Sequence, residues 1–331
     1  DLVVEGRNPI GDWLLVHTAD GSVRGWAASR YLFWDEGPSL GDLPVMAGQP
    51  SAPAGDGVSG AALPSADGAE RAAYVAALEA ELASVPLISG IGAHTRQIVE
   101  AGRGFGTRPH VIAKIGDCNT ESLAFLTPLD AGNYDLGPYG HLEETIRFFA
   151  GSFARQSLAG RTGFSALAVL DALWADPDQC EPGESPVWCE YRIVRPGVAV
   201  IMFGANDVHT VPPDRYEQSL RRILDFTLRR GTIPVLSTFT ANPAAGDWAA
   251  VLEYNLVTVR LAREYNIPLV NFWRAAHDLP NGGLASDNLH LSYSGTPTVS
   301  FHGEETQYGF SARNLLTLQA LDEIRRQVFD G

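Results

Sequence analysis

Cys118 is the first candidate for chemistry in this sequence, because it lies in a tight turn between two segments of regular pattern. Residues 111–115 are mostly apolar, which predicts a short buried strand. The Gly116-Asp117 pair that follows suits a sharp turn from a strand into a helix. The first amides of a helix have no partner within the helix, so they would converge on Cys118. A thiol at this position can attack a substrate, be oxidised or simply be buried.

Two further groups of polar residues lie far along the chain. Asn206 and Asp207 follow a second apolar run, in a stretch that reads Phe-Gly-Ala-Asn-Asp. Asp287 and His290 lie close together in Ser-Asp-Asn-Leu-His. A histidine can take and return protons near neutral pH, and an aspartate on the same turn can hold its imidazole in one tautomer. A nucleophile, a base, an orienting carboxylate and amide donors are what acyl transfer through a covalent intermediate requires.

These segments resemble the motifs of the SGNH (GDSL-type) hydrolase family. That family has a Gly-Asp-Ser turn, a Gly-x-Asn-Asp turn and an Asp-x-x-His pair, and this chain has all three in the same order from about residue 68 onwards. The resemblance implies an α/β fold, a three-layer α/β/α sandwich with a parallel, flavodoxin-like sheet. It also implies ester hydrolysis through an acyl-enzyme. One position departs from the family, because Cys118 stands where the nucleophilic serine is expected.

Each polar residue can be given a role on this basis. Cys118 would be the nucleophile and His290 the base, with Asp287 accepting the imidazole N–H and stabilising the imidazolium. Asp117 and Asp207 would brace their turns rather than react. The chemistry predicted for the site uses no metal and no cofactor.

The oxyanion hole implied by the resemblance has three donors. They are the backbone N–H of Cys118, the backbone N–H of Gly163 and the side-chain amide of Asn206. Gly163 opens a predicted helix, which would leave its amide free as a first-turn donor. Gly160 is a close competitor for the same role.

The thiol of Cys118 leaves three interpretations open: a working thiol hydrolase, a hydrolase site whose activity is weakened or lost, and a redox role. A free thiol with a pKa of about 8.5 is only slightly ionised at neutral pH, but a helix N-terminus and a nearby histidine can depress that value. Sulfur is larger than oxygen, and a misplacement of the attacking atom by about 1 Å costs roughly a hundredfold in rate. The competing class of function is a protein without catalysis that binds a glycan or a cell surface.

The remaining elements would position these residues. Strands and helices alternate from residue 68 onwards, which indicates a parallel sheet with helices on both faces. In such sheets the ligand lies at the carboxyl ends of the strands, where the Cys118 and Asn206 turns both fall. The predicted strands are residues 110–115, 198–203, 233–237 and 268–270. The predicted helices begin with one from residue 68 and continue with residues 91–103, 142–149, 164–174, 214–230, 248–265 and 311–328.

Composition divides the chain into three parts. Residues 1–35 show a strand, hairpin turn, strand pattern, and they resemble part of a bacterial Src-homology-3-like barrel, a module that often attaches secreted enzymes to cell walls. A small β ribbon on the main domain is the alternative. Residues 36–67 are rich in Gly, Pro, Ala and Ser and predict a flexible linker. Residues 68–331 would form the SGNH hydrolase-like domain.

The charge balance limits the partners of the protein. The chain has 331 residues and a formal net charge of −15, which argues against nucleic acid or an anionic membrane as a partner. No apolar run approaches the roughly 20 residues of a membrane span. We expect a small acyl ester or an acetylated glycan as substrate, and a cell wall or surface polymer as a partner of the N-terminal module.

Cys180 and Cys189 lie close together in a turn-rich stretch and are predicted to form a disulfide. Two reduced buried thiols are the alternative. A disulfide would indicate an oxidising compartment, so we expect a secreted protein of the extracellular space or cell envelope. Because the chain starts at Asp1 rather than at Met, we expect a signal segment upstream that this chain does not include.

Overall fold

The computed structural model describes residues 2–7, 13–18, 20–22, 24–28, 44, 46, 68–243, 248–296 and 298–330. The chain divides into two compact units, Asp1–Ala66 and Asp67–Gly331. The predicted linker of residues 36–67 lies outside the described residues apart from positions 44 and 46.

The first unit contains an antiparallel sheet in the order β1-β2-β3. Its strands are Leu2–Arg7 (β1), Trp13–Thr18 (β2) and Arg24–Ala28 (β3). The predicted strand, turn, strand pattern is confirmed by the pairing of β2 with β3. The likeness to part of a barrel stays a prediction.

The second unit alternates helices and strands. Its strands are β4 (Ile88–Ser89), β5 (Arg108–Gly116), β6 (Tyr134–Asp135), β7 (Pro196–Met202), β8 (Ile233–Ser237), β9 (Leu269–Val270) and β10 (Val299–Ser300). Its helices are α1 (Gly68–Ser84), α2 (Ala93–Gly102), α3 (Cys118–Glu121), α4 (Thr127–Asp130), α5 (Glu143–Phe148), α6 (Pro186–Val194), α7 (Asp207–Thr210), α8 (Pro213–Arg229), α9 (Trp248–Glu264), α10 (Phe272–His277) and α11 (Gly309–Ile324).

The central sheet has the order β4-β9-β8-β7-β5. The neighbours from β5 to β9 run parallel, and only β4 is antiparallel to its neighbour. A single parallel bridge joins Gly116 at the end of β5 to Gly160. If this bridge is counted as a shortened strand, the parallel strands follow the flavodoxin-like order 2-1-3-4-5. The predicted fold class is therefore confirmed.

The burial of the central strands shows that both faces of the sheet are covered. Every residue of β7 and of β8 is buried, and side chains alternate between the two faces along a strand. Such strands occur where helices pack on both sides of a parallel sheet. The helix α8 carries its apolar residues on one stripe and contacts α9 and β8, whereas α11 contacts α5 and β9.

One predicted element is wrong. Residues 164–174 do not form a helix but two short 3₁₀ turns, Ala168–Leu170 and Ala172–Trp174. The main chain there bonds to distant side chains, because the amide of Ala166 donates to the carboxylate of Asp207. Asp171 is extended between the two turns and caps the second one through its carboxylate.

None of the helices among the described residues is long and apolar enough to span a bilayer.

Candidate active site

The turn that carries Cys118 is built as its sequence indicated. Strand β5 ends at Gly116, and Asp117 caps α3 by accepting the amide of Asn119 at 3.0 Å. Only glycine fits at position 116, since a Cβ there would lie 2.5 Å from the carbonyl oxygen of Met202 and 2.3 Å from Oγ1 of Thr120. Cys118 is thus the first residue of α3, at the carboxyl end of a parallel strand.

The thiol of Cys118 is held in its protonated form. Its residue is only 7% exposed, and burial raises the pKa of Cys118 to about 11, with the negative charge of Asp117 adding to the effect. The amides of Cys118 and Asn119 at the start of α3 act to lower this pKa, but burial and the charge of Asp117 outweigh them. No hydrogen bond joins the thiol to His290 within the part of the chain that the structure describes.

His290 and Asp287 form a hydrogen-bonded pair. Nδ1 of His290 lies 2.7 Å from Oδ2 of Asp287, and Oδ1 of Asp287 accepts the amides of Leu289 and His290 at 3.0 Å each. The hydrogen bond from the His290 side chain, together with those two amides, lowers the pKa of Asp287 to about 2. With Nδ1 donating to a carboxylate, Nε2 is left as the acceptor that a general base needs.

Asn206 follows β7 at the same edge of the sheet. Its Nδ2 donates one hydrogen bond of 2.9 Å to the carbonyl oxygen of Phe164, so the second N–H of the amide remains for another acceptor. Asp207 braces the turn after β7, because its carboxylate accepts the amides of Ala166 (2.8 Å) and Gly204 (3.0 Å). Burial raises the pKa of Asp207 to about 7.

The segment between Ala159 and Gly163 bears on the third oxyanion donor. Gly160 is buried and bridged to the end of β5, and a Cβ on it would lie 2.9 Å from the carbonyl oxygen of Lys114 and 3.3 Å from Cγ2 of Thr120. It therefore lies against the Cys118 turn. Gly163, by contrast, is exposed, with open space around its Cα and φ +83°.

The amides around Gly160 are bonded on both sides of it. Leu158 N donates to Glu190, Ala159 N to Ser157, Arg161 N to the carbonyl oxygen of Gly116 and Thr162 N to Glu121. The amide of Gly160 has no such acceptor among the described residues. The helix on which Gly163 was predicted to lie is absent, so the reason for preferring Gly163 over Gly160 no longer holds.

A buried arginine, which the sequence analysis missed, lies beneath the turn. Arg313 on α11 is 1% exposed, and it donates to the carbonyl oxygen of Asn119 at 2.8 Å and to Oγ1 of Thr120 at 3.0 Å. Its guanidinium carbon lies 3.7 Å from the ring centroid of Phe125. Burial lowers the pKa of Arg313 to about 9, and the charge of Asp117 opposes that shift. The signal in the sequence was that Arg313 is the single basic residue of the α11 segment Gly309–Ile324.

Asp117 is the carboxylate of this turn whose negative charge acts on Arg313. It is 1% exposed. Burial raises its pKa to about 6, against the opposing effect of Arg313.

Cys180 and Cys189 form a disulfide, as predicted, with their Cα atoms 5.3 Å apart. The bond ties the loop before α6 to the first half of that helix. Cys118 is the remaining cysteine, and it is free and buried.

Three of the solved structures to which this chain is similar, at low identity, are hydrolases. LAE5, an alpha/beta hydrolase from the metagenome of Lake Arreo in Spain, is 16% identical, with a TM-score of 0.43, over 66% of this chain and 98% of its own. Axe2, an acetylxylan esterase from Geobacillus stearothermophilus, is 17% identical, with a TM-score of 0.42, over 63% of this chain and 93% of its own. A GDSL-like lipase from Bacteroides thetaiotaomicron is 13% identical, with a TM-score of 0.42, over 75% and 97%.

No curated protein sequence matches the chain significantly. A family model does match, that of the GDSL-like Lipase/Acylhydrolase family, over residues 131–296. The match covers half of the chain and includes Gly160, Asn206, Asp287 and His290, and it begins after Cys118. The chain belongs to the GDSL-like lipase/acylhydrolase family.

Proposed function

We propose that this protein is an ester hydrolase that acts on small acyl esters through an acyl-enzyme at Cys118. One observation carries the proposal. The His290–Asp287 pair lies on a loop that is hydrogen-bonded to α3, the helix that begins with Cys118, and Nε2 of His290 has no hydrogen-bond partner among the described residues. Family membership supports acyl-ester hydrolysis as the reaction class.

The first half of the reaction forms a thioester. As Sγ of Cys118 attacks the carbonyl carbon, Nε2 of His290 takes the thiol proton, and Asp287 stabilises the resulting imidazolium. The tetrahedral oxyanion accepts hydrogen bonds from the backbone amides of Cys118 and Gly160 and from Nδ2 of Asn206. When the intermediate collapses, His290 returns the proton to the departing alcohol.

The second half releases the acid. Water attacks the thioester carbonyl while His290 takes its proton, and the same three donors bind the second oxyanion. Collapse breaks the C–S bond, and His290 returns the proton to the sulfur of Cys118. Because the thiol pKa lies near 11, proton removal by His290 has to accompany the attack, since little thiolate exists beforehand.

A second candidate is a hydrolase-like protein with weakened or no catalysis, which binds a glycan or cell surface. Its support is the burial of the Cys118 thiol and the high pKa that results. A protonated, enclosed thiol without a hydrogen bond to a base is a poor nucleophile.

For the substrate class we propose O-acetylated polysaccharide or cell-wall glycan, in the extracellular space or cell envelope. The Cys180–Cys189 disulfide supports an oxidising compartment. The β sheet of the first unit is compatible with a surface-binding module.

The test is hydrolysis of p-nitrophenyl acetate by the wild-type protein beside Cys118→Ser, with His290→Ala as the blank. Turnover by the wild type that His290→Ala abolishes supports the thiol hydrolase. Turnover by Cys118→Ser alone means that the site is sound and that sulfur disables it. Turnover by neither refutes the hydrolase and favours the binding protein, which glycan-array binding would then examine.

A further inference from the structure

The residue after Cys118 is bonded to the main chain on both sides of the base. Nδ2 of Asn119 donates to the carbonyl oxygen of Leu289 at 3.3 Å, and Oδ1 of Asn119 accepts the amide of Leu291 at 2.9 Å. Leu289 and Leu291 are the two chain neighbours of His290. A single side chain is therefore hydrogen-bonded to both ends of the peptide segment that carries the imidazole.

Asn119 is itself fixed from the opposite side. Its residue is 2% exposed, its amide is bonded to the Asp117 carboxylate, and its carbonyl oxygen accepts Nη1 of Arg313. The side chain consequently has little freedom to follow the loop if the loop moves. Because the side chain is buried, breaking either of its two bonds would leave a polar atom away from water, which costs free energy.

The loop with His290 has few other ties to the nucleophile. The side chains of Asp287 and His290 are 50% and 47% exposed. The other bonds of this loop run to Asn242, to residues 281–285 and to the start of α11. Within the described residues, the two bonds of Asn119 are the only hydrogen bonds between residues 117–122 and residues 284–292.

We propose that Asn119 is a positioning residue that sets the distance and direction of His290 relative to position 118. The inference rests on the proposed hydrolase function of this site. It does not require Asn119 to touch the substrate: its effect passes through the backbone of residues 289–291. An error of about 1 Å in a catalytic contact lowers the rate roughly a hundredfold. Loss of the two Asn119 hydrogen bonds should therefore lower kcat.

The test compares Asn119→Ala with Asn271→Ala, each in the wild type and in Cys118→Ser. Asn271 is also fully buried, and its Nδ2 donates to the carbonyl oxygens of Leu82 and Val85, but it follows β9, which β8 and β7 separate from β5. Both variants remove a buried side chain that is hydrogen-bonded to the main chain. If the bonds of Asn119 contributed only to stability, both variants would change activity and stability alike.

We expect Asn119→Ala to lower kcat for p-nitrophenyl acetate by about 10- to 100-fold, with KM changed by less than about twofold. Asn271→Ala should lower the melting temperature comparably while kcat stays. Hydrogen exchange of the Leu291 amide, followed by NMR, should accelerate in Asn119→Ala only. Unchanged kcat in Asn119→Ala, an equal fall in Asn271→Ala, or unchanged exchange at Leu291 would overturn the inference.

The two proposals fail in different ways. If neither the wild type nor Cys118→Ser hydrolyses the ester, the hydrolase function fails, and exchange at Leu291 alone decides whether Asn119 holds the loop. If either hydrolyses it and Asn119→Ala does so equally well, only the role of Asn119 fails.

Discussion

The pH dependence of Cys118 is the most direct consequence of its surroundings. Burial and the charge of Asp117 raise the thiol pKa to about 11. At pH 7 the thiolate is then about one molecule in 10,000, and its fraction rises tenfold with each pH unit up to about pH 10. The rate of alkylation by iodoacetamide, which reacts with the thiolate, should follow the same line.

The assay is simple because the chain has one free cysteine. Cys180 and Cys189 are joined in a disulfide, so under non-reducing conditions mass spectrometry of the alkylated protein reports Cys118 alone. Cys118→Ser is the blank. The rate should be measured from pH 6 to pH 10, with free cysteine as the reference for the intrinsic reactivity of a thiolate.

A second variant separates the two causes of the raised pKa. Asp117→Asn keeps an oxygen that can cap α3 but removes the negative charge beside the sulfur. We expect faster alkylation at pH 7, by about tenfold if the charge accounts for one pKa unit, and the linear rise with pH should persist because burial remains. An alkylation rate that is level between pH 6 and pH 8 in the wild type would refute the reasoning, since it would mean a thiolate already stabilised at neutral pH.

Three further predictions concern single substitutions. Asp287→Asn should reduce kcat by about 10²- to 10⁴-fold through loss of the correct tautomer, with little change in melting temperature because Asp287 is half exposed; retained kcat would count against the pair. Gly160→Ala should lower kcat, because its Cβ would lie 2.9 Å from the carbonyl oxygen of Lys114. Gly163→Ala has open space around it, so kcat should be kept, although the φ of +83° should cost about 1 kcal/mol of stability. The reverse pattern would restore Gly163 as the oxyanion donor. The raised pKa of Asp207, about 7 in the folded state against about 3.9 unfolded, stabilises the fold below pH 4, and this contribution is lost as pH rises through 7. In urea unfolding between pH 4 and pH 8, Asp207→Asn should therefore gain up to about 4 kcal/mol relative to the wild type, and a parallel pH dependence of the two proteins would contradict this.

The sequence could predict those parts of the fold that local pattern determines. The strand of residues 233–237 was predicted with its observed bounds, and the turn at Cys118 follows from an apolar run with Gly-Asp after it. Residues 164–174 show the limit. Their spacing suits a helix, but the carboxylate of Asp207 and the side-chain amide of Asn206 bond their main chain from about 40 positions away. A competition between local and distant partners is invisible in any short window of sequence.

The same limit explains why the residues around the nucleophile were only partly foreseen. A helix of four residues is too short to be stable by itself, so α3 depends on what its side chains bind. Three of them each bind a different part of the site. Asn119 is hydrogen-bonded to the loop that carries His290, and Thr120 accepts a hydrogen bond from the guanidinium of Arg313. Glu121 accepts the amide and the hydroxyl of Thr162, which lies two residues after Gly160. The helix that presents Cys118 and the loops that would act on its substrate are therefore stabilised by the same hydrogen bonds. The short helix depends on these loops for its stability, and it fixes their positions in turn.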